Sequence, residues 1–201
     1  MLSPNFTPFP ELTTERLLLR RMTLADAPAV QHLRSNVEVM KYINRPLTLT
    51  VEDAEAWIGL IAAALEKNDG ITWSICLKET PAEQVGTIGL WRIEKENYRA
   101  EIGYMLEPEL HGKGIMYEAV QKVVDYGFRE MKLHSIEGRI DPRNTASGAL
   151  LKKAGFVQEA YFKENFYMQN SFTDTAVFSI LTPYAEAVSK VEEVQEANAF
   201  S

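Results

Sequence analysis

Hydrophobic and polar positions alternate through the middle of the chain. Three such runs, Ile71 to Leu77, Gln84 to Ile93 and Arg99 to Leu106, predict strands, because a half-buried strand places successive side chains on opposite faces. Short polar stretches separate the three runs. Connections of that length join antiparallel neighbours, so this part of the chain is predicted to form an antiparallel meander.

Helical spacing replaces alternation on both sides of the meander. After the capping residue Thr50, apolar residues recur three and four positions apart; they are Ala54, Trp57, Ile58, Ile61, Ala62 and Leu65. A longer amphipathic helix is predicted from Ile115 to about Met131. Shorter helices are predicted at Asp26 to Arg34 and at Asn144 to Ala154.

Four further strands complete the predicted sheet, at Arg16 to Arg20, Ser135 to Ile140, Phe156 to Tyr161 and Thr175 to Leu181. The second of these is reached from the meander through the long helix, which predicts a parallel crossover. The fold class is therefore α+β, with a mixed, mostly antiparallel sheet of about seven strands flanked by helices.

The chain is long enough for one ordinary domain, which we expect to span residues 12–183. Residues 1–11 are rich in proline and polar groups and are expected to be irregular. Residues 184–201 form an acidic segment that is expected to be a marginal helix or a frayed tail.

Composition and charge narrow the class of protein. The net charge of −7 argues against a nucleic-acid partner and mildly favours a cationic acceptor. No apolar run is long enough to cross a bilayer and no secretory signal begins the chain, so a cytoplasmic protein without a membrane partner is expected. The single cysteine, Cys76, lies in an apolar run and is predicted to be a buried thiol. The three histidines lack metal-ligand spacing, and no metal is expected.

A loop with two glycines, residues 111–116, joins the third meander strand to the long helix. The glycines permit a tight turn that brings backbone N–H groups to the start of the helix, where the helix dipole favours an anion. The loop therefore predicts a phosphate-bearing ligand. The Walker pattern G-x-x-x-x-G-K-[ST] is absent, and a Rossmann loop would need glycine at Tyr117.

The loop and its surroundings resemble the GNAT superfamily of acyl-CoA N-acyltransferases. Gly114 matches the superfamily motif [Q/R]-x-x-G-x-[G/A], while His111 replaces Gln or Arg and Met116 replaces Gly or Ala. Segments 12–20, 101–114 and 141–156 resemble the Rim-type ribosomal-protein N-acetyltransferase branch. The likeness covers roughly residues 12–183 in the right order and spacing.

This resemblance implies acetyl-CoA as co-substrate, with its pyrophosphate on the N–H groups of the loop. The residues implied to bind it are Met105, Leu106, His111, Gly112, Lys113, Gly114, Ile115, Met116, Tyr117 and Asn144. The strand that carries Met105 is implied to splay from its parallel neighbour, so that its backbone pairs with the pantetheine arm. For each of these assignments there is a purely structural alternative. Residues 111–117 could form an ordinary loop before a helix, Met105 and Leu106 could belong to a plain core strand, and Asn144 could be a simple helix N-cap.

Two residues are implied to take part in catalysis. Glu101 matches the common general-base position, and its alternative is a strand-end carboxylate that is either solvated or paired with Arg92 or Arg99. Ser147 matches the branch pattern N-x-x-S and would protonate the departing thiolate or hold the thiol. Many family members use a tyrosine four residues further on, where this chain has Leu151. A serine merely tolerated in the first helical turn is the alternative for Ser147.

The predicted reaction is transfer of acetyl from acetyl-CoA to a primary amine by direct attack in a ternary complex. The branch resemblance makes a protein N-terminal α-amine the first acceptor to consider. Small-molecule amines remain open, as does a sensor module that binds coenzyme A without turnover. A homodimer is compatible with the sequence, which does not determine the oligomeric state.

Overall fold

The computed structural model describes residues 1–168 and 170–184, with only the backbone of Met168. Its strands are β1 (Leu12–Thr13), β2 (Leu17–Arg21), β3 (Ile71–Leu77), β4 (Gln84–Glu94), β5 (Arg99–Leu106), β6 (Ser135–Ile140), β7 (Val157–Met168) and β8 (Ser171–Leu181). They form an eight-stranded sheet in the order β1-β2-β3-β4-β5-β6-β8-β7. The pair β5 and β6 is parallel, and the other neighbours are antiparallel. The predicted mixed, mostly antiparallel sheet and its parallel crossover are confirmed.

The helices are α1 (Ala27–Ser35), α2 (Val37–Met40), α3 (Val51–Glu66), α4 (Ile115–Arg129) and α5 (Thr145–Lys153). A capping box of Thr50 and Asp53 starts α3, and the side chain of Asn144 caps α5 by accepting from the N–H of Ser147 at 3.0 Å. The capping residues thus set where both helices begin.

Helices cover both faces of the sheet. On one face, α4 and α5 pack over the main core, which includes Trp73, Ile88, Ile102 and Ile136 from the strands. On the other face, α1 and α3 pack together through a smaller cluster; its buried members are Met22, Ala27, Val30, Ala54 and Ile58. Alternation along the strands explains the division, because side chains at successive positions point to opposite faces. Cys76 is fully buried, as predicted.

Three differences from the predicted elements have local causes. The eighth strand, β1, is two residues long, and α2 is four residues long, too short for a periodic pattern. β7 runs on to Met168, beyond the predicted end at Tyr161, and β8 begins at Ser171, before the predicted start at Thr175. Register shifts in this hairpin, between Gln158 and Ala160 and between Phe162 and Phe166, break the alternation that a sequence pattern can detect.

The N-terminal segment packs against the sheet although residues 1–11 contain no helix or strand. Leu2 and Phe6 are buried in the main core, and the indole N–H of Trp73 donates to the Pro10 carbonyl at 2.7 Å. The prediction for the C-terminal tail falls, apart from Tyr184, outside the described residues.

A buried ion pair links β2 to the turn before α1. The Arg20 guanidinium donates to Asp26 Oδ2 at 2.9 Å and Oδ1 at 2.6 Å, and the N–H of Thr23 adds a bond at 2.8 Å. Burial alone raises the pKa of Asp26, but these hydrogen bonds outweigh it and hold the pKa below its ordinary value. A carboxyl group with a lowered folded-state pKa stabilises the fold above its unfolded pKa, and this contribution is lost as the pH falls through the folded value.

We therefore expect Asp26→Asn to lower the free energy of unfolding by about 3 kcal/mol at pH 7, because Arg20 keeps its charge but loses its carboxylate partner and retains only backbone carbonyls as acceptors. Below about pH 4 the difference from the wild type should shrink. Urea unfolding at pH 7 and pH 3 measures both effects. Asp69→Asn, which breaks the exposed pair with Lys95, is the control and should cost under about 1 kcal/mol. Equal losses from the two variants would contradict the expectation.

Candidate active site

The sheet opens between β5 and β6. Their parallel pairing covers only Arg99 with Ser135, Ala100 with Ile136 and Glu101 with Glu137. β6 pairs with β8 along its whole length but with β5 only as far as Glu101. One edge of β5 from Ile102 to Leu106 therefore has no strand partner within residues 1–168 and 170–184. Unpaired strand edges offer backbone donors and acceptors to an extended ligand. The gap therefore provides a slot between the two faces of the sheet.

The glycine loop lies between the end of β5 and the start of α4. Gly112 and Gly114 have φ of 72° and 77°, a left-handed conformation that side chains with a Cβ rarely adopt. Gly114 is the N-cap of α4 and supplies no side-chain cap. The N–H groups from Gly112 to Tyr117 have no acceptor within residues 1–168 and 170–184. The loop thus presents a row of free backbone donors at a helix N-terminus, the arrangement that binds phosphate.

Arg16 and Glu118 fix this loop from the side of β2. Arg16 Nη1 donates to the Lys113 carbonyl at 3.0 Å, and Arg16 Nε donates to Glu118 Oε2 at 2.7 Å. Glu118 Oε1 accepts from the Arg16 N–H at 2.9 Å and from the hydroxyl of Thr14. The Lys113 carbonyl is therefore tied to the residue that directly precedes β2. We did not predict Arg16 and Glu118, whose contact spans about a hundred residues of sequence and leaves no local pattern.

Side chains of the predicted loop residues divide into two groups. Ile115 and Met116 are buried in the main core, so only their backbone faces the loop. Gly112 and Lys113 are exposed, and Tyr117 is half-buried with the Lys153 ammonium over its ring.

The end of β5 is joined to the loop by a histidine. His111 Nε2 lies 3.1 Å from the Leu106 carbonyl, which ties the loop to the strand before it. The side chain of Leu106 is buried and that of Met105 is half-buried. Backbone groups at this strand end, more than side chains, are therefore available to a ligand.

Glu101 lies at the point where the gap begins, on the face opposite α4. Its side chain is 10% exposed and pairs with Arg92 Nη1 at 2.8 Å. A register shift between Trp91 and Glu94 interrupts β4, and Arg92 has φ of 46°. This bulge directs the Arg92 guanidinium to Glu101. The ion pair with Arg92, one of the two alternatives for Glu101, is present, and it engages Oε2 while Oε1 has no hydrogen-bond partner among the described residues.

Trp91 and Gly103 form the floor beside Glu101. A Cβ at Gly103 would lie 2.3 Å from the Trp91 ring, so glycine is required for the indole to lie across β5. Trp91 is the register partner of Glu101 and is itself partly exposed. An aromatic surface thus adjoins the carboxylate on the open face.

Ser147 and Tyr104 meet on the other face. The Ser147 hydroxyl, buried in the first turn of α5, is 2.8 Å from the Tyr104 hydroxyl of β5. Burial raises the pKa of Tyr104 to about 12, although the bond to Ser147 acts in the opposite direction. The phenol is therefore neutral at ordinary pH and able to donate a proton. Tyr104 is not among the predicted site residues, because a tyrosine in an alternating strand gives no local signal of a catalytic role.

The comparisons with known proteins identify the family. Residues 16–157 match the profile of the acetyltransferase (GNAT) domain. The chain is also 38% identical, over 175 residues, to the uncharacterised N-acetyltransferase YoaA of Bacillus subtilis (strain 168), covering 87% of this chain and 98% of that protein. The chain belongs to the GNAT acetyltransferase family. It is an acetyl-CoA-dependent N-acyltransferase, and the resemblance predicted from the sequence is confirmed.

Solved GNAT structures agree with the fold. A GNAT-family acetyltransferase from Bacillus anthracis superposes with a TM-score of 0.76 at 32% identity, covering 86% of this chain and 98% of that one. The ribosomal L7/L12 α-N-protein acetyltransferase RimL, solved with coenzyme A, superposes with a TM-score of 0.78 at 19% identity, covering 86% and 98%. At that identity the second likeness concerns the fold alone.

The aromatic residues of the last hairpin are exposed in this GNAT domain. Tyr161, Phe162, Phe166, Tyr167 and Phe172 all lie at the surface of β7 and β8. Tyr167 and Phe172 contact each other with ring centroids 4.8 Å apart. These rings therefore do not contribute to the main core.

Neither a metal site nor a membrane span emerges from the described residues. No group of three or more His, Cys, Asp or Glu side chains there is arranged to hold a metal ion. None of the helices there has the length and apolar character needed to cross a bilayer.

Proposed function

We propose that this GNAT enzyme transfers acetyl from acetyl-CoA to a primary amine by direct attack in a ternary complex, with a protein N-terminal α-amine as the first acceptor. The observation that carries the proposal is the row of free N–H groups from Gly112 to Tyr117 beside the unpaired edge of β5. A diphosphate fits the first feature, and an extended arm with amide groups fits the second.

In this proposal the coenzyme approaches from the α4 side. Residues 111–117 bind the pyrophosphate, chiefly through backbone donors, while Met105 and Leu106 offer backbone groups to the pantetheine arm. Asn144 caps α5 through its Oδ1, and its amide N–H₂, which has no acceptor in the described part of the chain, is available to the coenzyme. Acetyl-CoA supplies the activated thioester, so the protein needs no nucleophile of its own and contributes mainly by positioning.

The acceptor amine approaches from the opposite face, over Trp91 and Glu101. There Glu101, directly or through a water molecule, takes the proton that the amine must lose. Ser147 and Tyr104 lie on the coenzyme side and form a donor pair for the departing thiolate. The gap between β5 and β6 connects the two faces of the sheet. In this proposal, the amine beside Glu101 and the thioester beside Ser147 and Tyr104 meet in that gap.

The choice of a protein α-amine rests on the Rim-type resemblance of residues 12–20, 101–114 and 141–156. An α-amine is also the easier nucleophile, because its pKa of about 7.7–8.0 makes deprotonation at pH 7 cost roughly 1 kcal/mol, against about 4.6 kcal/mol for a lysine.

Release of coenzyme A from acetyl-CoA tests this proposal. The acceptor panel should contain peptides with free N-termini, the same peptides with N-terminal blocking groups and an internal lysine, and small amines. Turnover that requires the free α-amine supports the proposal. Turnover only with small amines would reassign the acceptor, and thermal stabilisation by acetyl-CoA without turnover on any acceptor would favour the sensor module.

Loss of the phenol at position 104 should slow turnover without weakening coenzyme binding. We expect Tyr104→Phe to lower kcat about tenfold, because the thiolate then leaves with Ser147 as its only donor. KM for acetyl-CoA should stay within about twofold. Steady-state kinetics of Tyr104→Phe and Ser147→Ala, singly and together, measure this. If the two hydroxyls act as one unit, the double variant should lose little more kcat than either single variant. Losses of kcat that add up in the double variant would contradict such a donor pair.

A further inference from the structure

Trp91 of β4 carries a large aromatic side chain that reaches across to the strand bordering the gap. A Cβ on Gly103 would lie 2.3 Å from Cη2 of the indole, 2.6 Å from Cζ2 and 3.0 Å from Cζ3. The benzo end of the ring therefore lies against Gly103 of β5. Gly103 belongs to the stretch of β5, Ile102 to Leu106, whose other edge has no strand partner in the described part of the chain. The ring thus ends beside the gap.

This position of the ring depends on a glycine. Side chains two positions apart point to the same side of a strand, so the neighbours of Gly103 on this face of β5 are Glu101 and Met105. A side chain at position 103 would occupy the place of the indole. The glycine therefore allows an aromatic surface to lie within two residues of the carboxylate that we propose as the base.

The indole is open to solvent. Trp91 is 39% exposed, whereas Trp73, on the opposite face of the sheet, is fully buried. Among residues 1–168 and 170–184, no other aromatic ring stacks on Trp91 and no cation lies over it. A single exposed apolar side chain is ordinary on a protein surface. This one is distinguished by its place, at the border of the gap and next to Glu101.

The charged groups that share this face of β4, β5 and β6 are paired with each other. The ion pairs join Arg92 with Glu101, Arg99 with Glu94 and Glu137, and Arg139 with Glu137. Within this group the formal charges cancel, so it provides no excess charge to attract a second ionic group of an acceptor. The indole remains as a contact surface, and its burial is favoured by an apolar partner.

We propose that Trp91 is a specificity-determining residue, whose indole binds a large apolar side chain on the residue that receives the acetyl group. This inference rests on the proposed transfer to an α-amine and specifies which amines are preferred. The α-amine and the side chain of that residue are attached to the same Cα. An amine beside Glu101 therefore places its side chain within reach of the ring that covers Gly103. A methyl group would cover little of the indole.

Short peptides that differ only in the first residue test this specificity. The first residue is alanine, leucine, phenylalanine or arginine, and rates are measured at pH 9, where each α-amine is mostly neutral. We expect the wild-type enzyme to favour leucine and phenylalanine over alanine by about tenfold or more in kcat/KM, as apolar pockets discriminate side chains by size. Arginine should not exceed leucine. Equal kcat/KM values for all four peptides, or a clear preference for arginine, would overturn the proposal.

Variants of the ring and of the glycine test its location. Trp91→Ala should reduce the preference for leucine over alanine to within about twofold, chiefly through the KM for the peptide. Gly103→Ala should do the same, because the added methyl group displaces the ring. Trp91→Phe keeps a shorter apolar ring and should retain part of the preference. A preference that survives in both Trp91→Ala and Gly103→Ala would overturn the proposal.

Phe172→Ala is the matched control. It removes another exposed aromatic ring, at the start of β8 in the last hairpin, where the side chain contacts Tyr167. The control should keep both the wild-type preference and the wild-type kcat/KM for every peptide. Loss of the preference in Phe172→Ala as well would show that it does not depend on the ring beside Gly103.

Fluorescence separates the subsite from the reaction. With coenzyme A bound, the peptide that begins with leucine should shift the tryptophan emission of the wild type and of Trp57→Phe, but not that of Trp91→Phe, because the exposed indole loses water on binding. A Trp91-dependent shift without turnover on any amine leaves the subsite standing and removes the proposed reaction. Turnover that is equal for all first residues leaves the reaction standing and removes the subsite.

Discussion

Gly114→Glu should raise the Kd for coenzyme A by at least about a hundredfold. Three effects act together. The new carboxylate would lie among the free N–H groups of the loop, where it repels a diphosphate. A side chain at φ of 77° costs roughly 1–2 kcal/mol. A Cβ at this position would be 3.5 Å from Arg16 Nη2, so the carboxylate would also compete for the guanidinium that fixes the loop.

Isothermal titration with coenzyme A measures this prediction. The control is Gly59→Glu, which adds the same charge at an exposed position of α3 with no atom within 4 Å of the new Cβ. The control should bind coenzyme A as the wild type does, and urea unfolding should show both variants folded. Unchanged affinity in Gly114→Glu would remove the glycine loop from coenzyme binding and with it the proposed function.

Glu101→Gln should lower kcat/KM for the acceptor about a hundredfold at pH 7, within the usual range for a general base. KM for acetyl-CoA should not change, because Glu101 lies on the face opposite α4. The deficit should shrink toward pH 9 with an α-amine acceptor, since most of that amine is then neutral without help. A pH series of steady-state rates measures both effects.

Glu137→Gln is the matched control. Glu137 is the register partner of Glu101 on β6, and it contacts Arg99 and Arg139 at 3.6 Å. It carries the same charge on the same face at the same height in the sheet. A small effect at Glu137 with a large one at Glu101 supports the assignment, whereas the reverse would transfer the base to Glu137. Equal turnover of Glu101→Gln and wild type at every pH would remove Glu101 from the mechanism.

Strands and helices in which apolar and polar positions recur at regular spacing over many residues were predictable from the sequence. The bounds of β3, β5 and β6 coincide with the predicted runs, because alternation between a buried and a polar face is a property of each strand alone. The glycines of the loop were predictable for a similar reason, since a positive φ restricts the residue type at that single position. Neither inference needs a distant neighbour.

The distant partners of the site residues were mostly not predictable. Arg16 meets the glycine loop across about a hundred positions, and Tyr104 meets Ser147 across 43. The sequence offered both Arg92 and Arg99 as partners of Glu101, and the bulge in β4, which has no clear signal in one sequence, decides for Arg92. The roles of Glu101, Ser147 and the loop residues stay predictions, which the variants described above test.

By itself, the sequence determined the order of the longer strands and helices, the family, and the position of the glycine loop for which a phosphate ligand is predicted, because periodicity, capping and backbone freedom are local properties. Only the tertiary structure decided that β5 and β6 separate after three paired residues, and that Glu101 lies on the face of the sheet opposite Ser147 and Tyr104. Those features depend on which distant segments pack together, and packing is a property of the whole chain.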